Sequence, residues 1–313
     1  MRICSLLPSA TEIIGDLGLT HQLVGVSEEC DWPVDARGLP VVTASRVDPS
    51  TLSSAEIDRA VRTALEGDLS LYAIDEQRLA ELAPDVIVTQ DLCTVCAVSG
   101  GEVTSLCPVG VEVISLNPTT LEEIATSVEM LAERLGVQER GIAIADRMRT
   151  AIESVRRAVA GRPRRRIFVA EWVDPPFAAG HWLPEMVAAA GGEDVLGRAG
   201  QPSYATTWEA VRAREPGLVV VAACGFDARR GAAEASGVDF PAPAVAVDAN
   251  AYYSRPAPRV ADGVRQLGFM LHPEACDDPG LPEVQVMSRL LRRSVPAAPS
   301  TKAQASDTPT AVP

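Results

Sequence analysis

The chain has 313 residues, 47% of them hydrophobic and 22% charged, with a formal net charge of -14. This length exceeds the size at which a single core stops growing, which predicts two lobes. The acidic balance excludes a nucleic-acid partner, which needs a basic stripe, and no apolar run reaches the ~18 residues of a membrane-spanning helix.

In chain order, Arg2-Ile3-Cys4-Ser5-Leu6 predicts a first strand. With one positive charge and a short apolar run before Pro8-Ser9, it is too short for a signal-peptide core, so the expected location is the cytoplasm. A helix over Ala10–Gly18 follows, with Ser9 as N-cap, Glu12 completing a capping box and Gly18 stopping it. Leu23–Val26 is a second strand. Residues 51–66 and 75–83 predict helices capped by Ser53 or Ser54 and by Asp75. Strands are expected over 86–89 and 110–116.

From Thr119 to about Val159 helix formers dominate, with a candidate break only between Gly136 and Gly141. Ile144, Met148, Ile152 and Val155 keep a helical period. A helix of roughly 20 residues is about 30 Å long, enough to run from one lobe to the other. The alternation then resumes with strands at 166–170, 218–222 and 244–247 and helices at 183–190, 206–213, 227–235 and 257–270. The expected organisation is an N-terminal α/β lobe over 1–118, a connecting helical region over 119–160, a C-terminal α/β lobe over 161–293 and a disordered tail over 294–313.

Three segments follow Val/Ile-rich runs and end in reactive side chains: Ser27–Trp32, Gln90–Cys96 and Glu171–Phe177, the last leading to Gly180-His181-Trp182. In an α/β protein the carboxyl ends of the strands build the site, and a small-molecule site between two lobes uses all three. Seven cysteines in a long chain fit a reducing compartment. Cys4 and Cys224, beside apolar runs, are expected to be buried. Cys93-Thr94-Val95-Cys96 has the spacing that lets both sulfurs reach one tetrahedral metal. Cys30 is the candidate third ligand, and His181 or Glu171 the fourth. Two metal-free thiols, or a redox pair at a helix start, are the alternatives. Trp32, Trp172, Phe177, Trp182, Tyr252 and Tyr253 dominate a small aromatic inventory, and their placement favours a ligand wall over core packing. Asp174-Pro175-Pro176 stiffens its loop, and Tyr253 or Arg255 can reach the same crevice. His272 is expected to be structural and His21 exposed. No phosphate loop, nucleophile elbow, dinucleotide fingerprint or His-Glu-x-x-His helix is present.

The opening Arg2–Ile13, with Leu-Leu-Pro-Ser-Ala-Thr-Glu-Ile at its centre, and the run Leu82-Ala83-Pro84-Asp85-Val86-Ile87-Val88 resemble the cobalamin- and iron-siderophore-type substrate-binding proteins of ABC transporters over about residues 1–275. The Glu-Cys-Asp, Cys-x-x-Cys and Trp-x-Asp-Pro-Pro-Phe segments are similar to leaderless relatives in the cobalamin-binding branch. The resemblance implies an α/β fold of two Rossmann-like lobes joined by one long backbone helix, the class III periplasmic-binding-protein arrangement. It implies a monomeric binding protein more than an enzyme, holding cobalamin or another metal-containing small ligand, with an ABC permease as partner if the chain is exported. The expected ligand contacts are Pro8, Ser9, Trp32, Glu171, Trp172, Phe177, Trp182, Tyr253 and Arg255, and the expected metal ligands are Cys30, Cys93, Cys96 and His181. The alternative function is a cytoplasmic metal-thiolate enzyme or metal-handling protein using Cys30, Cys93 and Cys96 around zinc or iron.

Overall fold

The computed structural model describes residues 1–49, 51–66, 71–91, 101 and 110–286. The chain opens with β1 (Ile3–Ser5), all three residues buried, as suits a central strand of a sheet covered on both faces. Helix α1 (Pro8–Asp16) begins earlier than the Ser-x-x-Glu pattern predicts. Pro8 occupies the first turn, where its fixed φ and missing N–H cost nothing, so Leu7 is the N-cap and no side chain caps the helix. Ser9 therefore lies inside the helix and the capping box does not form. Gly18 ends the segment with φ +75°, as expected.

β2 (Leu23–Val26) is followed by an antiparallel pair, β3 (Thr43–Ser45) and β4 (Tyr72–Ile74), with α2 (Ser54–Glu66) between them. Ser53 and Glu56 make the box that starts α2, the Glu56 carboxylate accepting from the Ser53 N–H at 2.9 Å and hydroxyl at 2.7 Å. α3 (Glu76–Leu82) is capped by Asp75, which accepts from the Arg78 N–H. β5 (Val86–Thr89) and β6 (Glu112–Ser115) complete a parallel sheet in the order β2-β1-β5-β6.

The connection is a hairpin of two helices, α4 (Leu121–Arg134) and α5 (Gln138–Ala158, 21 residues). The break falls at residues 135–137, where Gly136 has φ +75°. Gly141, a candidate breaker, lies within α5 because a Cβ there would stand 2.3 Å from that of Ala132. It is the residue that lets the two helices touch. Leu121, Ile124, Met148 and Ile152 join the core of the second lobe, while Val128, Leu131 and Ile144 join that of the first. Both helices thus span both lobes. Arg149 pairs with Glu122 and Glu129 to pin one helix to the other.

The second lobe contains β7 (Arg165–Val173), β8 (Pro176–Ala178), α6 (Leu183–Ala189), β9 (Gly192–Asp194), β10 (Tyr204–Ala205), α7 (Trp208–Arg212) and β11 (Leu218–Val221). After these come α8 (Ala228–Ala235), β12 (Ala244–Val247), α9 (Ala249–Tyr252), α10 (Val260–Leu271) and β13 (Glu283–Val286). The parallel centre β7-β11-β12 carries antiparallel edges, in the order β10-β8-β7-β11-β12-β13, with β9 alongside the start of β7. Edge strands of two to four residues are too short for a readable period of two, and so were not expected. Cys4 is buried as expected, but Cys224 is exposed, because β11 ends three residues before it. The expected tail over 294–313 lies outside the described residues.

Candidate functional site

Segments at or after the carboxyl ends of β2, β7, β11 and β12 meet at the junction of the lobes, where two sets of contacts cross between them. The first set starts from the loop after β2. Asp31 accepts from Arg255 Nη1 at 2.5 Å and from Asn250 Nδ2 at 3.1 Å, and Arg255 also donates to the Glu29 backbone carbonyl at 3.3 Å and to Asn250 Oδ1 at 2.9 Å. Burial works to raise the Asp31 carboxyl, but the hydrogen bond and charge of Arg255 prevail and hold it below its usual range. Beside it, Arg259 reaches back to Glu12 on α1 at 2.5 Å, with Glu12 fully buried. The Arg259 guanidinium lies over the rings of Trp32, 4.9 Å from its centroid, and Tyr252, at 5.6 Å.

The second set involves α2. The Trp172 indole N–H donates to the Ser54 carbonyl at 3.0 Å, and the Ser54 N–H donates to Glu234 at 2.9 Å. Arg230 donates to the carbonyls of Pro49 and Leu52. These bonds join the first lobe to the carboxyl end of β7 and to α8.

Several expected ligand contacts are placed elsewhere by their own polar atoms. Tyr253 is fully buried, and its hydroxyl donates to Gln266 at 2.9 Å. Trp182 is buried in the second-lobe core, with its indole N–H on the Tyr253 carbonyl at 2.7 Å. Both support the second-lobe core. Trp172 packs on Phe226 at 5.1 Å and acts as a strut to α2. Phe177 is half-buried opposite Trp172 across the β7–β8 pair. Arg255 is buried and already committed to Asp31 and Asn250. Of the expected aromatics, Trp32 alone is a large exposed hydrophobic, 40% accessible. Pro8 and Ser9 open α1 at the end of β1, and the buried Ser9 hydroxyl has no partner.

Glu171 accepts from the Gly180 N–H at 2.7 Å. A Cβ on Gly180 would stand 2.3 Å from the Ser203 nitrogen and 2.4 Å from the Gln201 carbonyl oxygen, so only glycine fits this turn. Gly180→Ala is expected to cost about 1–3 kcal/mol or more by overpacking against backbone, read as a lower urea midpoint. The next residue, His181, has φ +48°, a conformation that costs a non-glycine residue on the order of 1 kcal/mol or more. Its backbone is held by bonds to Gln201 and Gly200, and its ring stacks on Trp182 at 5.8 Å. Burial lowers its pKa below the usual 6.5, so the imidazole is neutral with a lone pair to give.

Cys30 is buried, and its sulfur accepts from the Thr11 hydroxyl at 3.0 Å. Burial pushes its thiol above the ordinary range despite that bond. Cys93 and Cys96 lie outside the described residues, and among the described residues no three His, Cys, Asp or Glu converge on one point. A hollow of about 920 Å³ is lined by Met148, Ile152, Val159, Arg156 and Ala188. It lies between the helix hairpin and α6, away from the strand ends. The cross-lobe partners Glu12, Arg259, Arg230 and Glu234 were not anticipated. Glu12 gave the one local signal, a carboxylate set directly before Ile13-Ile14.

Two α/β lobes on a rigid helical hairpin, facing each other with their strand ends, define a two-lobed ligand-binding protein of the class III type. The family model described as periplasmic binding protein matches residues 3–239, and the chain belongs to that family. A vitamin B12-binding protein of Yersinia pestis (strain Pestoides F) is 26% identical over 226 residues, covering 70% of this chain and 69% of the relative. The crystal structure of a periplasmic vitamin B12 binding protein from Vibrio cholerae aligns with TM-score 0.62 and 25% identity, over 85% of this chain and 94% of that one. A periplasmic heme-binding protein from Pseudomonas aeruginosa shares the fold, with TM-score 0.65 and 18% identity over 92% and 98% of the two chains.

Proposed function

We propose that this chain is the substrate-binding component of an ABC-type uptake system and holds a corrinoid, a cobalamin-like ligand, between its lobes. The observation that carries the ligand class is charge. The described strand ends bear Glu28, Glu29, Asp31, Glu171, Asp174 and Asp248, of which Asp31, Glu171 and Asp248 each already accept a hydrogen bond and keep further lone pairs. Two arginines at the junction are already committed, Arg255 to Asp31 and Arg259 to Glu12, and residues 92–109 contain no Lys, Arg or His. A haem brings two carboxylates, which need cations; a corrinoid brings neutral amides, which find acceptors in carboxylates and carbonyls. The names of the Yersinia and Vibrio relatives support the same choice. Trp32 offers the exposed aromatic face, and His181 the neutral imidazole for the central metal.

Absorbance titration with aquocobalamin tests this reading, since replacement of its water by an imidazole shifts the corrin bands. Saturation at micromolar concentration with such a shift is expected, and His181→Ala should remove the shift and weaken binding by about 10-fold or more, of the order of one lost metal-ligand bond. Because burial holds the His181 pKa down, the shift should survive acidification past pH 6.5. By the same sign, the neutral ring is favoured in the folded state, so stability from this group is lost only as pH falls below 6.5. No saturable binding at micromolar ligand removes the proposal. The metal-thiolate reading is weaker, because the Cys30 sulfur is buried and takes a hydroxyl donor. Metal analysis of protein prepared without added metal separates the two. Cytoplasmic residence, expected from the opening residues, is a separate proposal and is incompatible with delivery to an outward-facing permease, so cell fractionation decides between it and the uptake role.

A further inference from the structure

α2 belongs to the first lobe by connectivity and to the second by packing. Its excursion leaves from β3 and returns through β4, which pair Ser45 with Tyr72 at the base, and the Arg46 N–H donates to the Leu71 carbonyl at 2.8 Å. Between those points Ile57 is buried in the second-lobe cluster with Val173, Ala178 and Phe226, and Leu52 and Val61 pack against the same cluster. The polar seat consists of Ser54 on Glu234 and Trp172, and of Arg230 on the Leu52 carbonyl, with the Arg230 guanidinium 4.0 Å from the Phe226 ring centroid.

The two cross-lobe contacts differ in what their separation leaves behind. Pulling Arg259 from Glu12 strands a fully buried carboxylate. Undocking α2 exposes Ile57, Leu52 and Val61 and returns a backbone N–H, a backbone carbonyl, Arg230 and Glu234 to water, but leaves no buried charge alone. α2 carries its own start signal, the Ser53–Glu56 box, and an Asp58–Arg62 pair at 2.9 Å, but at 13 residues it is only marginally helical once undocked, so its amides lose protection when it leaves its seat. The weaker seat is therefore the one at α2.

We propose that α2, with the turn Thr51–Ser53 before it, is a strap across one side of the cleft, which swings on the β3–β4 stem and leaves the second lobe to admit or release ligand. This rests on the binding-protein reading for its purpose, but its motion can be tested without ligand. Hydrogen exchange of the full chain alone should show amides of 54–66 exchanging at least 10-fold faster than those of β1 and β7. In Glu234→Ala the 54–66 amides should quicken further, while β1, β5 and α5 stay unchanged and Trp172 emission shifts to the red. Ile57→Asp should do the same more strongly; if that variant does not fold, Glu234→Ala decides. Exchange of 54–66 in step with β1 and β7, untouched by Glu234→Ala, overturns the strap.

A second arm uses bound cyanocobalamin, whose dissociation should be several-fold faster from Glu234→Ala than from the parent chain. Equal dissociation rates overturn the gating role. If the parent chain does not bind cyanocobalamin at all, the function proposed above fails, and the ligand-free exchange still decides whether the strap moves.

Discussion

Arg259→Ala is expected to destabilise the protein by about 3–5 kcal/mol, the cost of removing one partner from a buried ion pair. Glu12 is fully buried and Arg259 is 19% accessible, so the carboxylate left behind has little water to turn to. Its second oxygen and the Arg259 Nε already lack partners, so the site holds no spare hydrogen bond to absorb the loss. The variant also removes the cation that lies over Trp32 and Tyr252. Urea denaturation followed by circular dichroism measures the effect as a lower midpoint at unchanged slope. Replacing both partners, as in Glu12→Leu with Arg259→Met, should recover most of the loss, because the penalty comes from the unpaired charge. A loss below about 1 kcal/mol in Arg259→Ala would mean that the two lobes are not joined through this pair.

Trp182→Ala is the second large effect, expected at about 3–5 kcal/mol as for other large-to-small changes at buried aromatics. The indole fills the second-lobe core beside Met186, Leu183 and Tyr253, and its N–H satisfies the Tyr253 carbonyl at 2.7 Å. Trp182→Phe should lose only part of this, chiefly that hydrogen bond, at about 1–3 kcal/mol. The discriminating result is the comparison with Trp32→Ala, an exposed position, which should leave the unfolding midpoint nearly unchanged and weaken ligand binding instead. A Trp182→Ala variant as stable as its parent would return that indole to the ligand wall that its sequence neighbourhood predicts.

Those two tryptophans mark how far the structure is legible in the sequence. Runs such as Leu23–Val26 and Ala244–Val247 are strands to the residue, because a short β-branched run bounded by turn residues has few other uses. The cap at Asp75 was legible for the same local reason, a side-chain acceptor set three residues before the N–H it takes. The start of α1 was misjudged because two local signals competed and Pro8 prevailed over Ser9. Of the strand-end segments, Ser27–Trp32 and Glu171–Phe177 come to the junction of the lobes, and Gln90–Cys96 lies mostly outside the described residues. Whether a side chain there faces the gap or the core depends on which partner its polar atom finds, and Trp182 and Tyr253 found theirs inside. Glu12 and Arg259 are 247 positions apart, and no local pattern couples them. The strap was also hidden: residues 51–66 are plainly helical in sequence, but nothing in their period tells which lobe they cover.

A corrinoid ligand, as proposed, requires a gap between the lobes that takes a neutral, amide-bearing ring and disfavours an anionic one. Isothermal calorimetry of the purified chain against cyanocobalamin and, separately, hemin at matched salt tests it most directly. One-to-one binding of cyanocobalamin at micromolar or tighter Kd, with hemin at least 10-fold weaker, is the expected outcome. Hemin binding as tightly as cyanocobalamin or more so, or neither ligand binding, contradicts the account.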